Sequence, residues 1–191
     1  DLKAAGVSRL NISLDTLDPE KYRHITRLGE LEDAMAGLRA AEKAGFENLK
    51  INNVLMGGFN DDEIGAFTDL TKDQTIEVRF IELMPIGGGI GFDKAEFVSC
   101  DTVLERVPEI KSLNREDGVA RLYAFPGAAG RVGLIRPVSC DFCQGCNKIR
   151  LTADGKLKPC LHSDQEISLK GLSQPQMEEV LQRAIMDKPR K

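Results

Sequence analysis

Residues 49–84 read LKINNVLMGGFNDDEIGAFTDLTKDQTIEVRFIELM, and this stretch contains a strand pattern, a loop, a helix pattern and a second strand pattern. Strands are predicted over residues 49–56 and 76–84. A helix is predicted over residues 62–72, with Asn60 or Asp61 as its N-cap. A strand–helix–strand unit of this kind pairs its strands in parallel through a right-handed crossover.

The segments on either side extend this unit. Upstream, a strand is predicted over residues 9–15 and helices over residues 19–27 and 30–44, with Gly45 as a stop signal. The resulting βαβαβ order predicts an α/β fold with a parallel sheet. Downstream, the patterns predict a helix over 101–107, a hairpin formed by 121–125 and 132–136, a second hairpin turning at Asp154-Gly155, and a helix over 176–186.

The three upstream strands alternate apolar and polar residues, whereas parallel strands covered on both faces are usually apolar throughout. The polar positions expected on one face are Asn11, Ser13, Lys50, Asn52 and a glutamate, Glu82, although Glu82 and Met84 share a face with Val78 and Phe80. Buried charges need partners, so a partial barrel with a polar ligand inside explains this face. Internal hydrogen bonds or an edge strand remain the alternative for each residue alone.

The second decisive stretch is a cysteine motif, Cys143-x2-Cys146-x13-Cys160. A Cys-x2-Cys pair on a tight loop directs two thiolates at one metal. Counting outward from the two-residue turn Asp154-Gly155 places Cys160 opposite Ile149, within reach of the same site. Three thiolates on a four-iron cluster would leave one iron free to hold a substrate.

Two alternatives stay open for these cysteines. Cys140 could be a fourth ligand that closes the site. The four thiolates could then form a tetrahedral zinc site in a non-catalytic module, with the basic hairpin binding nucleic acid. Structural zinc sites usually pair two Cys-x2-Cys knuckles, however, and the scarcity of aromatic residues leaves few platforms for stacking bases.

Composition limits the remaining choices. The chain has 191 residues, 41% of them hydrophobic, and a formal net charge of −4, so bulk charge indicates neither nucleic acid nor a membrane as partner. Residues 121–158 differ, with seven basic and two acidic residues, which indicates a local anionic ligand or a solvated face. Neither a signal peptide nor an apolar run of membrane length is recognisable, which favours a reducing cytoplasm.

Five segments match a known family: residues 11–15, 49–52, 58–64, 79–85 and 142–161. They resemble the molybdenum cofactor biosynthesis protein A family, the GTP 3′,8-cyclases of the radical SAM superfamily. The most specific match is Cys-Asn-x-x-Arg-Leu-Thr-x-Asp-Gly at residues 146–155.

The resemblance implies an architecture and a set of site residues. The expected architecture is a partial (β/α)6 barrel over residues 1–97 and a C-terminal α+β extension over 98–191 that carries a [4Fe-4S] cluster. The implied roles are cluster ligation by Cys143, Cys146 and Cys160, S-adenosylmethionine contact by Ser13 and Met84, and GTP contact by Lys50, Lys148 and Arg150. The open iron would meet the guanine of GTP.

The resemblance also implies a reaction. In such enzymes an N-terminal [4Fe-4S] cluster cleaves S-adenosylmethionine to a 5′-deoxyadenosyl radical, which abstracts the ribose 3′ hydrogen of GTP. The ribose carbon closes onto guanine C8 to give (8S)-3′,8-cyclo-7,8-dihydroguanosine 5′-triphosphate, a lyase reaction. A second protein, cyclic pyranopterin monophosphate synthase, uses the product. A homodimer is one expectation for the assembly.

Three departures from the family pattern are visible. The N-terminal Cys-x3-Cys-x2-Cys motif and the C-terminal Gly-Gly tail do not occur in this sequence. The chain is therefore expected to be a fragment that is inactive alone and forms no 5′-deoxyadenosine. Lys148 stands where the family commonly has Arg, which keeps the charge but loses the planar fork.

Four other features are interpreted without a role. Cys100 is expected to be a buried or surface thiol, and His24 and His162 ordinary surface residues, with a contact from His162 to the cluster surroundings left open. The Gly87-Gly88-Gly89-Ile90-Gly91 run does not fit Gly-x-Gly-x-x-Gly, so a loop is favoured over a phosphate cradle.

Overall fold

The computed structural model describes residues 1–84, 96–139, 148–161 and 163–188. Its described residues form two compact units, one comprising residues 1–84 and 96–139 and the other residues 148–161 and 163–188. The helices are α1 (Pro19–Thr26), α2 (Leu31–Lys43), α3 (Ile64–Asp73), α4 (Asp101–Arg106) and α5 (Gln174–Met186), and a 3-10 turn spans Asp61–Glu63.

The strands form two sheets. They are β1 (Arg9–Ser13), β2 (Asn48–Leu55), β3 (Ile76–Glu82), β4 (Lys111–Asp117), β5 (Ala120–Ala124), β6 (Arg131–Ile135), β7 (Arg150–Leu151), β8 (Lys156–Lys158) and β9 (Ile167–Ser168). The first unit holds a six-stranded sheet in the order β1-β2-β3-β6-β5-β4, and the second unit a three-stranded sheet in the order β7-β8-β9.

The larger sheet is mostly parallel. Strands β1, β2, β3 and β6 run parallel to one another. Strand β5 pairs antiparallel with β6, and β4 pairs antiparallel with β5. The parallel part confirms the α/β class. The hairpin predicted from residues 121–136 exists as β5 and β6, and its second strand pairs with β3.

Local sequence explains where the helices begin and end. The Asp18 carboxylate accepts hydrogen bonds from the amides of Glu20 and Lys21, at 2.8 and 3.0 Å, and so caps α1. After α2, Gly45 adopts a left-handed φ of 77° and its amide donates to the carbonyl of Glu42. Glycine takes this conformation without the Cβ clash of other residues, as the stop signal predicts.

One face of the six-stranded sheet packs on the helices. The core contains Leu14, Leu38, Leu49, Ile51, Leu55, Ile64, Phe67, Val78, Phe80, Val103, Val132 and Leu134. Phe67 of α3 meets Phe80 of β3 edge to face, with ring centroids 6.3 Å apart. Each buried side chain of this size contributes about 1.5–3 kcal/mol, so this face holds the unit together.

The second hairpin has a different register from the predicted one. Arg150 pairs with Lys158 and Leu151 with Leu157, so the predicted pairing of Cys160 with Ile149 is wrong by one residue. The loop has three residues and not two, because the Thr152 amide already bonds the Lys156 carbonyl at 2.8 Å. Gly155, with a φ of 79°, supplies the left-handed residue that such three-residue loops require.

Within the described residues, none of the helices is long and apolar enough to cross a membrane.

Candidate functional site

The face of the large sheet opposite the core carries polar residues in two rows across the strands. The first row is Asn11, Lys50, Glu77 and Arg131, and the second is Ser13, Asn52, Arg79 and Gly133. Side chains alternate along each strand, so these positions share one face. The predicted polar face exists, and it holds Ser13 and Lys50 as diagonal neighbours.

The glutamate on this face is not the predicted one. Glu82 has the parity of Val78 and Phe80, and Val78 pairs with Ile51, so Glu82 lies on the core side. Its expected place on the polar face is therefore wrong, because a carboxylate can lie on the core side when main-chain amides satisfy it. Glu77 occupies the polar face instead and is 2% exposed.

A network of charges covers the first row. Glu77 contacts three cations: Arg131 Nε at 2.6 Å, Lys50 Nζ at 3.8 Å, and Arg79 Nε through a short hydrogen bond. Asp117, at the end of β4, bonds Lys50 Nζ and accepts from Arg79 Nη2 at 2.9 Å. The group thus contains three cations and two carboxylates, a surplus of one positive charge.

Lys50 is central to this network, although it is only 9% exposed. Its hydrogen bond holds the pKa of the Asp117 carboxyl below its usual value, and nearby Arg79 and Arg131 act in the same direction. Buried cations with a net surplus are an unfavourable arrangement unless an anion completes them. The surroundings of Lys50 therefore suit an anionic group.

Gly133 makes room for this network. A Cβ at position 133 would lie 3.1 Å from Arg79 Cγ and 3.3 Å from Ala120 Cβ. The absence of a side chain lets Arg79 lie across β6 toward Asp117. A glycine in a buried strand is otherwise unfavourable, so its place here is explained by the close approach of Arg79.

A cleft of about 430 Å³ opens at the N-terminal ends of β2, β3 and β6. Its lining includes Lys50, Glu77 and Arg131, and also Leu113 of the edge strand β4. The cleft lies at the N-terminal ends of these strands, whereas barrel enzymes use the C-terminal ends, where Ser13 and Met84 lie. Its charged lining indicates a polar ligand.

The two residues matched to S-adenosylmethionine contact lie at or after the C-terminal ends of β1 and β3. Ser13 is exposed, and Met84 is half-buried two residues beyond β3. Ser13 is in register with Asn52 and Arg79, so Met84 lies five residues further along, about 16 Å in an extended chain. This separation in register means that a ligand contacting both residues would have to be extended.

Asn52 lies beside Ser13 and has an unsatisfied atom. Its Oδ1 is buried and accepts no hydrogen bond among the described residues. Buried acceptors are normally satisfied, so this amide oxygen is compatible with a ligand that donates a hydrogen bond next to Ser13. An unsatisfied acceptor beside an exposed serine suits a polar ligand at this edge.

Glu82, on the core side, is fully buried and satisfied by the main chain. It accepts from the amides of Cys100 at 3.1 Å, Val138 at 3.0 Å and Ser139 at 2.8 Å, and from the Ser139 hydroxyl. Ser99 Oγ lies 3.5 Å away. This group of donors is called the Glu82 clamp below.

The second unit carries the other predicted cations. Arg150 of β7 is paired directly with Lys158 of β8, and Lys148 precedes β7 by two residues. Lys148 and Arg150 are exposed, and none of the three forms an ion pair within the described part of the chain. Like charges directly opposite each other destabilise a hairpin, so this cluster also suits an anion.

The cluster ligands are only partly within the described residues. Cys160 is a free, half-buried thiol two residues beyond β8, a place that suits a ligand. Cys143 and Cys146, the alternative ligand Cys140, His162 and the Gly87–Gly91 run lie outside the described residues. Among those described, three or more His, Cys, Asp or Glu side chains do not come together as a metal site.

The Cys100 thiol and the His24 side chain take no part in these groups, although the Cys100 amide belongs to the Glu82 clamp. Burial raises the pKa of the Cys100 thiol to about 12, and its Sγ lies 3.4 Å from the Phe80 carbonyl oxygen. Burial is one of the two environments expected for Cys100, and a raised thiol pKa disfavours the reactive thiolate at neutral pH. His24 is exposed on α1.

Sequence reasoning missed Glu77, Arg79, Arg131 and Asp117. Glu77 and Arg79 alternate with Ile76 and Val78, so the parity of β3 could have identified them. Asp117 gave no such signal, because its contact with Lys50 depends on the sheet order, in which β4 is separated from β2 by three strands.

Two family models match the chain. The model described as "Radical SAM superfamily" matches residues 1–71, and the model described as "Molybdenum Cofactor Synthesis C" matches residues 76–191. Together they span both units.

Several curated proteins are similar in sequence. A GTP 3′,8-cyclase of Peptoclostridium acidaminophilum is 53% identical over 174 residues, which cover 90% of this chain and 54% of the relative. A GTP 3′,8-cyclase of Alkaliphilus oremlandii is 47% identical over 194 residues, covering 100% and 61% respectively. One of Heliobacterium modesticaldum is 44% identical over 201 residues, covering 99% and 61%. The chain thus spans between 54% and 61% of the length of these relatives.

Proposed function

Because the chain belongs to the molybdenum cofactor biosynthesis protein A family, we propose that it is a radical SAM GTP 3′,8-cyclase that converts GTP to (8S)-3′,8-cyclo-7,8-dihydroguanosine 5′-triphosphate. The observation that carries this proposal is the match of both family models and of GTP 3′,8-cyclases along nearly the whole chain. The surplus of cations around Lys50, and the cations Arg150 and Lys158, which form no ion pair within the described residues, support a triphosphate as ligand.

Each proposed residue has a specific task. Lys50, Lys148 and Arg150 bind the phosphates of GTP. Ser13 and Met84 contact S-adenosylmethionine at the ends of β1 and β3. The charge-assisted hydrogen bonds of the three cations to phosphate contribute about 1.5–3 kcal/mol each. Lys50 brings its charge already oriented, because Glu77 and Asp117 hold its ammonium group in place.

The proposed cofactors are [4Fe-4S] clusters and S-adenosylmethionine, which supply radical chemistry when bound. Cys143, Cys146 and Cys160 would hold one cluster, without Cys140. Cys160 fits this role because it is free and half-buried beyond β8. The family relationship favours this proposal over a zinc-stabilised nucleic-acid module, because radical SAM proteins and GTP 3′,8-cyclases imply [4Fe-4S] clusters.

The wider setting follows from the family. We propose a partial barrel that is completed by further strands, with the barrel and the extension divided at residues 97 and 98. The product would pass to a cyclic pyranopterin monophosphate synthase. The cytoplasm is the proposed location, and a homodimer the proposed assembly.

Calorimetry with GTP on the anaerobically iron- and sulfide-loaded chain tests the substrate. Arg150→Ala should weaken binding roughly ten- to a hundredfold, the equivalent of one charge-assisted contact. Lys148→Arg should hold or improve binding, because Arg restores the bidentate fork. Arg183→Ala removes the same side chain from an exposed site on α5 and should change nothing. Equal GTP affinity in wild type and Arg150→Ala would exclude Arg150 from the site.

The cluster ligands are tested separately. Cys140→Ser should leave the iron content and brown colour intact after anaerobic loading, whereas Cys160→Ser should remove both. Loss of the cluster in Cys140→Ser would show a closed site with four ligands and would contradict an open iron for GTP.

A further inference from the structure

The Glu82 clamp joins three separate segments of the chain through one carboxylate. Glu82 is the last residue of β3 and is 0% exposed. Its Oε1 accepts from the amide of Cys100, which precedes α4, and its Oε2 from the amides of Val138 and Ser139, which follow β6. The end of β3, the start of α4 and the segment after β6 are thus fixed at one point.

Two of the segments joined by Glu82 lead directly to residues with proposed roles. Met84 follows Glu82 by two residues, and Ser139 precedes Cys143 by four. The same carboxylate therefore anchors the strand end that leads to a proposed S-adenosylmethionine contact and the segment that leads into the proposed cluster ligands. The other described carboxylates do not contact both of these segments.

A carboxylate is a poor choice for stabilising a core. Burying its charge costs several kcal/mol unless hydrogen bonds replace the lost water, and an apolar side chain of similar volume often stabilises a fold as well or better. Three amides and a hydroxyl that converge on two oxygens do replace the water. What the carboxylate adds is direction, because its bonds set the relative positions of the segments that donate them.

We infer that Glu82 is a positioning residue that fixes where the cysteine-bearing segment begins relative to the end of β3. This inference rests on the proposed function, because it takes Cys143, Cys146 and Cys160 as cluster ligands. Glu82 itself does not contact substrate or cofactor; it acts through the main chain at Val138 and Ser139. Replacing it should disturb the cluster site even when the fold survives.

The experiment compares three variants of the full chain after anaerobic loading with iron and sulfide. Glu82→Gln replaces an acceptor oxygen by an NH₂ group that faces amide donors. Glu63→Gln is the matched control, because Glu63 is also a nearly buried carboxylate, 12% exposed, that accepts from the Leu17 amide at 2.6 Å. Ser139→Ala removes only the hydroxyl donor and keeps the carboxylate. Far-UV circular dichroism and thermal unfolding record the fold of each variant.

Two readouts separate positioning from general stability. The first is retention of iron against a chelator. The iron affinity of Glu82→Gln should be about tenfold lower than that of wild type, the size typical when residues that support a metal site are replaced. The second is the change in the electron paramagnetic resonance spectrum of the reduced cluster on addition of GTP. Glu82→Gln should abolish this change, whereas Glu63→Gln should keep it even if its unfolding temperature falls.

The outcomes are distinct. Iron retention and a GTP-induced spectral change in Glu82→Gln equal to those of Glu63→Gln would overturn the inference. If Glu82→Gln does not fold, Ser139→Ala decides. A partial loss of iron retention and of the GTP-induced spectral change would support the inference, and wild-type values of both would overturn it. Failure of the wild-type chain to take up iron would instead contradict the proposed function, and the inference would fall with it.

Discussion

Lys50 lies between two carboxylates that differ in solvent exposure, and this difference leads to a prediction about pH. Glu77 is buried, whereas the Asp117 side chain is 39% exposed. The Lys50 hydrogen bond holds the pKa of Asp117 below its usual value in the folded chain. A carboxylate with a depressed pKa stabilises the fold above its unfolded pKa, and this stabilisation is lost as the pH falls through the lower, folded value.

Asp117→Asn should therefore reduce the free energy of unfolding at pH 7, by at most about 1 kcal/mol because the pair is partly exposed. The difference from wild type should shrink as the pH falls below about 4. Urea denaturation at pH 7, 5, 4 and 3 measures it. Asp73→Asn, at the exposed end of α3, removes the same charge without contact to Lys50. A difference between wild type and Asp117→Asn that grows toward acid pH would contradict the assignment.

Gly130 leads to a second prediction at this scale. A Cβ there would lie 2.3 Å from the Ile76 carbonyl oxygen and 2.5 Å from that of Gln74. Both atoms belong to the main chain and cannot rotate away, so Gly130→Ala should destabilise the first unit by about 1–3 kcal/mol or more. Gly37→Ala, in the interior of α2 with open space around its Cβ, should instead stabilise by about 0.5–1 kcal/mol. Thermal unfolding of the two variants should shift in opposite directions.

At the scale of elements, the β7–β8 hairpin contains a like-charged pair that the proposed binding of phosphates would explain. Arg150 and Lys158 are direct cross-strand partners, and such like-charged pairs are destabilising. Lys158→Glu would convert the pair to an attractive one. It should slightly stabilise the hairpin, by about 0.2–1 kcal/mol, and weaken GTP binding because an anion now occupies the cation cluster.

Calorimetry with GTP and thermal unfolding of the loaded protein measure the two effects. Lys158→Gln, which removes the charge without adding a new one, should have the same effects in weaker form. If Lys158→Glu bound GTP as tightly as wild type, the β7–β8 cations would not face the phosphates.

The elements differ in how well the sequence predicts them. Strands β1, β2 and β3 were predicted because one face of each packs on the core and imposes alternation on residues such as Leu49 and Ile51. Strand β4 was missed because it lies at the sheet edge, where Lys111 to Glu116 are exposed and carry no apolar pattern. Strand β9 has only two residues, too few for any period to appear.

The site residues also differ in whether local sequence patterns predict them. Lys50 and Ser13 were found through family motifs and strand alternation, both of which are local. The partners of Lys50 depend on register and sheet order, which local patterns do not encode. Glu82 was misplaced for a related reason: a buried carboxylate looks like a ligand residue until the amides of Val138 and Ser139 are seen to satisfy it.

At the scale of the whole chain, the two units differ in how they are stabilised. The six-stranded sheet has an apolar core that includes Ile51, Val78 and Phe80, each 0% exposed. In the small sheet β7-β8-β9, Leu157 is the one buried hydrophobic residue, and Leu151 is 67% exposed. So small a core provides little stability by itself, and proteins of this kind often rely on metal binding.

Loading the chain with iron and sulfide should therefore stabilise the second unit selectively. All three proposed ligands lie between residues 143 and 160, and a ligand that binds only the folded state stabilises the structure that it requires. Hydrogen exchange of the amides of residues 150–169 should slow on loading. Among these amides are those of Thr152 and Leu169, which bond the carbonyls of Lys156 and Gly155. Exchange in β2 and β3 should hardly change, because their bonds are already protected by the large core. Mass spectrometry of loaded and chelator-treated protein, kept without oxygen, compares the two sheets directly. Slower exchange in the large sheet alone would place the metal away from Cys160, since a cluster held by that thiolate must restrain the strand that carries it.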